Sequence, residues 1–137
     1  MRFCRIRATL GQQHLAEQQV SLEQIQRARS VVPIAAVQNE YSLSERGSDE
    51  VVDYCTSESI VFVPFYPLHG DRSPVVAEIA RRHNATPSQV RLAWLLHRSP
   101  VVLPIPGTLS LQHLKENLAA LDIELSAGDF EALSARG

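Results

Sequence analysis

Lysine is almost absent from this sequence: of thirteen basic residues, twelve are arginine and one, Lys115, is lysine. Chemistry that needs a lysine to tune a neighbouring acid therefore rests on one position. Cysteine is equally scarce. Cys4 and Cys55 are too few and too far apart for a disulfide framework or a zinc site, which points to a reducing, cytoplasmic setting and to no metal. No apolar run approaches the roughly 18 residues of a membrane span. Positive charge is not in excess either: thirteen basic against fifteen acidic residues leave a net charge of −2, and no basic face suits nucleic acid. Arg2, Arg5 and Arg7 precede no apolar stretch, so no secretory leader is expected. Repeats and low-complexity tracts are missing as well.

What remains is an ordinary globular composition, 45% hydrophobic and 20% charged over 137 residues, enough for one domain with a real core. Residues 1–20 are rich in glutamine and show no convincing period, so they read as a divergent N-terminal segment ahead of a folded region at 21–137. Ser21-Leu22-Glu23-Gln24 is a capping box that opens a helix to about Ser30. Ile34 to Gln38 is short, apolar and uncharged, the pattern of a buried strand. A helix follows over Asp49 to Ser59, with Val51, Val52 and Cys55 on its inner side. Ile60 to Phe65 is a second buried strand with Pro64 near its end.

Ser73-Pro74 starts a helix that Asn84 closes in a left-handed cap. Thr86-Pro87-Ser88-Gln89 is another capping box with proline at the first helical position. Val101 to Ile105 reads as a third strand, Leu111 to Leu121 as the helix after it, and Ser126 to Leu133 as a last short helix. Apolar strands separated by helices imply an α/β chain with a parallel, helix-covered sheet. Three strands leave two unpaired edges, so the chain reads as part of something larger or as a protomer that associates.

Three strand ends carry ligand-suited residues. Gln38 and Asn39 can hydrogen-bond an amide-bearing ligand, and Glu40 or Tyr41 can line a pocket beside them. An ordinary strand-to-loop transition accounts for the same residues. Phe65 can stack on a flat heterocycle, with the backbone to Gly70 approaching a phosphate chain; core packing above a Pro/Gly turn is the alternative. His69 can donate a proton, or can be a plain loop residue. Pro104 to Ser110 joins an apolar run to a helix N-terminus, a setting for an anion in which Gly107 and Thr108 suit a phosphate and Ser110 suits an N-cap. Lys115 and Asn117 lie one to two turns further on.

Several runs in this order resemble the C-terminal half of the aldo-keto reductase family: Val37-Gln38-Asn39-Glu40-Tyr41-Ser42, Val63-Pro64-Phe65-Tyr66-Pro67-Leu68, Thr86 to Val90 with Ala93 to Leu96, Ile105 to Thr108, and His113 to Leu118. The resemblance covers about Ser21 to Leu133. It implies a partial (β/α)₈ TIM barrel, about the last three strands with their helices, and an oxidoreductase that reduces aldehydes or ketones with NADP(H) rather than NAD(H). Carried over by matching position, Gln38 resembles the glutamine that holds the nicotinamide carboxamide, and Phe65 the ring that stacks on it. Leu68 and Gly70 fall in the loop along the pyrophosphate. Gly107, Thr108 and Ser110 fall around the adenosine phosphate, and Asn117 resembles the contact to adenine.

His113 stands where many members carry the arginine that grips the 2′-phosphate, with Lys115 near enough to supply some charge. The family's catalytic tyrosine, lysine, aspartate and histidine belong to its N-terminal half. The chain is thus expected to carry no catalytic residue and to be inert alone; the alternative is a non-enzymatic half-barrel that self-associates or complements a missing half. The strand expected before Ser21, with its usual serine-asparagine ending, is not recognisable.

Overall fold

The computed structural model describes residues 15–70 and 73–135. The readings of Cys4, Arg2, Arg5 and Arg7 lie outside these residues. Three strands, β1 (Leu15–Gln18), β2 (Ile34–Glu40) and β3 (Val61–Phe65), form a parallel sheet in that order. Helices α1 (Leu22–Arg29) and α2 (Asp49–Ser57) make the crossovers. Helices α3 (Pro74–Arg82), α4 (Pro87–Arg98), α5 (Leu111–Ala119) and α6 (Ala127–Ser134) follow β3.

Local chemistry explains most helix ends. Ser21 Oγ accepts from the Gln24 N–H at 3.3 Å while Gln24 Oε1 accepts from the Ser21 N–H at 2.8 Å. Thr86 and Gln89 repeat that reciprocal cap at 3.2 and 2.7 Å, with Pro87 at the first helical position where its missing N–H is no loss. Asn84, at φ 50°, takes the left-handed conformation expected after α3. The helix expected over Leu111 to Leu121 is shorter: α5 ends at Ala119, and Ala120–Asp122 tightens into a 3₁₀ turn.

Two strands differ from expectation. β1 lies in the segment that showed no strand signal, because Leu15-Ala16-Glu17-Gln18 contains no β-branched or aromatic residue. Pairing with β2 makes it a strand, with Gln18 opposite Gln38. Conversely, Val101 to Ile105 does not become a ladder. Only Val102 bridges Phe62: the Phe62 N–H donates to Val101 O at 2.9 Å and the Leu103 N–H to Phe62 O at 2.8 Å. Pro104 and Pro106 then offer no N–H to continue the pairing.

The two sheet faces are unlike. Val37, Asn39, Phe62 and Pro64 point to the helices and are buried, while Gln38, Glu40, Val63 and Phe65 share the other face and are only half-buried. On the helix side, Val37 and Phe62 join Ile25 of α1, Val52 and Cys55 of α2, and Trp94 of α4 in one core. Burying such side chains contributes roughly 1.5–3 kcal/mol each. The opposite face has less over it: Val61 of β3 is exposed there. Away from the sheet, Leu103 and Ile105 beyond the Val102 bridge are exposed, and so are Leu111, Leu114 and Leu118 of α5.

Candidate functional site

The candidate site lies where β2 and β3 end. Gln38 pairs in register with Val63, and Glu40 with Phe65, so Gln38 and Phe65 share one face on adjacent strands. Beyond Phe65 the chain turns sharply. Tyr66 takes φ 52°, the His69 N–H donates to Tyr66 O at 2.9 Å, and Gly70 takes φ 90°. Gly70 sits so close to Ser44 that a Cβ at position 70 would lie 2.6 Å from the Ser44 side chain.

This turn faces the irregular run after Val102 across a cleft of about 610 Å³, on which Phe65, Leu68 and Gly107 meet with Tyr66, His69 and Pro106. Gly107 presents bare backbone: apart from its chain neighbours, no atom of the described residues stands within 4 Å of where its Cβ would be. Leu68 also borders a second cleft, of about 540 Å³, shared with Gly70, Ser73 and Arg91. The expected residues near α5 separate from this group. Thr108 Oγ1 accepts from the Ser110 N–H at 3.0 Å, and Ser110 Oγ accepts from the His113 N–H at 3.3 Å, so Ser110 caps α5. His113 is exposed. Asn117 lines a third groove, of about 330 Å³, against Pro106, Leu103 and Leu118.

Two expectations at the end of β2 are corrected. Asn39 is buried and its amide is spent on the fold: it donates to Val20 O at 2.8 Å and to Ser48 Oγ at 3.1 Å, and accepts from the Val20 N–H at 2.8 Å. It therefore has no amide left for a ligand. Tyr41 does not line a pocket. Its ring is fully buried between Phe62 and Trp94, its hydroxyl donates to Asp49, and Arg98 Nε donates to that hydroxyl at 3.2 Å. Burial, reinforced by the bond to Asp49, pushes the phenol up to about 12. The ring is thus part of the core and not of a cleft wall.

Arg91 and the Glu40–His69 pair were not singled out from sequence. Arg91 donates to the Leu68 carbonyl at 3.5 Å and borders the second cleft; an arginine inside the apolar run Val90 to Leu96 was the available signal. Glu40 Oε1 lies 3.7 Å from His69 Nδ1, a pairing between residues 29 apart that no local pattern reveals. Among the described residues, no cluster of histidine, cysteine or carboxylates could hold a metal ion, and no helix is long and apolar enough to cross a membrane.

The sequence model of the Aldo/keto reductase family matches residues 14–73 and 71–136. The chain belongs to the aldo/keto reductase family. It is 43% identical over 116 residues to pyridoxine 4-dehydrogenase of Escherichia coli, a match that covers 82% of this chain and 41% of that protein. A thermostable aldo-keto reductase crystallised with the inhibitor epalrestat superposes with a TM-score of 0.85 at 28% identity, over 90% of this chain and 48% of its own. An aldo/keto reductase from Klebsiella pneumoniae, solved with NADP and acetate, superposes with a TM-score of 0.74 at 27% identity, over 86% and 46%. The chain spans about two fifths of the length of the curated relatives it matches. The sheet and its helices are accordingly a partial (β/α)₈ barrel, as expected, and the bare sheet face is the face that looks into such a barrel.

Proposed function

We propose that this chain is the nucleotide-holding part of an NAD(P)H-dependent carbonyl reductase. The observation that carries the reading is the cleft on which Phe65, Leu68 and Gly107 meet, although Gly107 lies some forty residues beyond the strand that bears Phe65. An aromatic ring, a mainly apolar wall and a glycine with open space before it fit a flat heterocycle joined to phosphates. Phe65 and Gln38 would hold the nicotinamide, Leu68 and Gly70 the pyrophosphate, and Gly107, Thr108, Ser110, His113 and Asn117 the adenosine end. When bound, that group supplies the hydride for carbonyl reduction. NADP(H) is favoured over NAD(H), a preference in keeping with relatives solved with NADPH or NADP.

By itself the chain is inert or nearly so. Support for this comes from Tyr41, which is locked in the core, and from the resemblance, which puts the family's catalytic tyrosine and lysine in the half of the barrel not matched by this chain. Purified chain incubated with NADPH and a panel of aldehydes should show no turnover above background, while NADPH should raise its melting temperature by mass action. Enzyme-level turnover would overturn the inertness, and no shift at millimolar NADPH would overturn the nucleotide site.

Exposure of Val61 on the inner sheet face, with Leu103 and Ile105 exposed in the run beyond it, favours a second reading, in which the chain associates with another half-barrel, its own copy or one supplied in trans. Light scattering of the purified chain checks this. A monodisperse monomer with a cooperative thermal transition counts against it.

A further inference from the structure

We propose that the open side of this half-barrel is covered by a second copy of the same chain. The two meet about a two-fold axis, so that the α5 side of each packs against the β1–α1 side of the other. The proposal deepens the association reading and rests on it. Three parallel strands and the run bridged to β3 at Val102 fill four adjacent strand positions. Among the described residues, the outer edges of β1 and of that run have no neighbouring strand. An axis along the strands sets the β1 edge of one copy beside the run of the other, twice, and keeps every strand parallel. Eight strand positions then close a barrel. The length fits as well: the chain spans 48% of a solved relative, so two copies carry about one barrel's worth of chain. Edges that close on each other leave no site for a third copy.

Side chains on both sides of that junction suit it. Helix α5 has no buried residue, and Leu111, Leu114, Leu118 and, in the 3₁₀ turn, Leu121 recur on its exposed side at intervals of three and four. That spacing lays an apolar stripe on a helix which packs against another element. Leu114, Leu118 and Leu121 border the groove of about 330 Å³ against Leu103. With the partner's edge strand beside Leu103, the groove closes and the stripe is covered. Pro104 and Pro106 leave the run poor in N–H donors, so side chains rather than a ladder carry the contact. Val61, exposed on the inner face of a single copy, becomes interior to the closed barrel. Charge is complementary too. Helices α1 and α5 both run back from the mouth of the sheet, which puts their C-terminal ends at the same end of the barrel. Arg27 is exposed at that end of α1, and Asp122 and Glu124 are exposed just after α5. Across the junction the two signs face each other.

Analytical ultracentrifugation of the purified chain tests the arrangement. Wild type should form a dimer and no larger species. Leu118→Glu should weaken the dimer about tenfold or more, as expected for a leucine that an interface covers. Leu118 is exposed in the single copy, so the variant should keep the wild-type helical signal. Arg27→Glu and Asp122→Arg, both at surface positions, should each weaken the dimer about fivefold at low salt, while the double variant regains most of the wild-type affinity. A wild-type chain that stays monomeric overturns the proposal together with the own-copy form of the association reading. A dimer that tolerates Leu118→Glu overturns the proposal and leaves association standing, as does one in which the two charge reversals merely add. Growth into larger oligomers does the same, because the edges would then meet without closing.

Discussion

The Asn39 side chain holds both backbone groups of Val20, accepting from its N–H and donating to its carbonyl, each at 2.8 Å. A single amide thus extends the β1–β2 pairing past the end of β1, where the Gln19 N–H bonds Gln38 O. Gln19 takes φ 51° at that corner, a left-handed conformation that asparagine adopts more readily than glutamine.

Replacing Asn39 by alanine leaves both groups of Val20 and the Ser48 hydroxyl without this partner. It should destabilise the chain by about 2–4 kcal/mol, while Ser48→Ala costs about 1 kcal/mol. Urea unfolding of the two variants reads the difference. A loss below about 1 kcal/mol for Asn39→Ala would refute a structural role for the amide.

Gly70→Ala should both destabilise the chain and loosen the loop after β3, because the new methyl meets Ser44 at 2.6 Å and φ 90° disfavours any side chain. A destabilisation of about 1–3 kcal/mol is expected. Combining it with Ser44→Gly should recover part of the loss, the steric part, and leave the backbone part. Additive effects in the double variant would show that the two positions do not touch in solution.

Acid should weaken the contact between α3 and α6. Asp129 is buried, which by itself opposes ionisation, yet bonds from His83 at 3.1 Å and Arg82 at 2.6 Å, with Ser126 at the helix cap, hold its carboxyl down to about 2. A carboxyl depressed in the folded state contributes stability that is complete above its unfolded value, near 3.8, and lost as pH falls towards 2. Roughly 2 kcal/mol should disappear across that window. Asp129→Asn should remove this pH dependence in thermal melts between pH 5 and 2, and an unchanged profile would refute the assignment.

Nucleotide preference should be adjustable at one position. His113→Arg places a fixed charge on the exposed first turn of α5, where the resemblance puts the 2′-phosphate. NADPH affinity should rise about three- to fivefold at low salt with NADH unchanged. An equal gain for both nucleotides would mean that the charge acts on the diphosphate instead.

The candidate site was legible in part because strand ends are where motif order and turn chemistry coincide: Phe65, Leu68 and Gly107 line one cleft, Gly70 the next, and Gln38 shares a face with Phe65, while Asn117 lines a separate groove. Asn39 and Tyr41 were misjudged for a single reason. Side chains alternate across a strand, and whether a polar tip meets solvent or a buried partner depends on what packs over that face. Val20 and Asp49 are those partners, and neither is implied by the local pattern.

Helix starts, the left-handed turn at Asn84 and the buried character of β2 follow from caps, prolines and apolar runs, interactions that reach only a few residues along the chain. Tertiary structure alone decided that Leu15–Gln18 is a strand and that the run from Leu103 to Ile105 is not. A strand exists only where a neighbour accepts its hydrogen bonds, and that neighbour is supplied by β2 in the first case and refused by Pro104 and Pro106 in the second. The pairing of His69 with Glu40 belongs to the same class, since two side chains distant in sequence meet only when the parallel sheet sets their strand ends side by side.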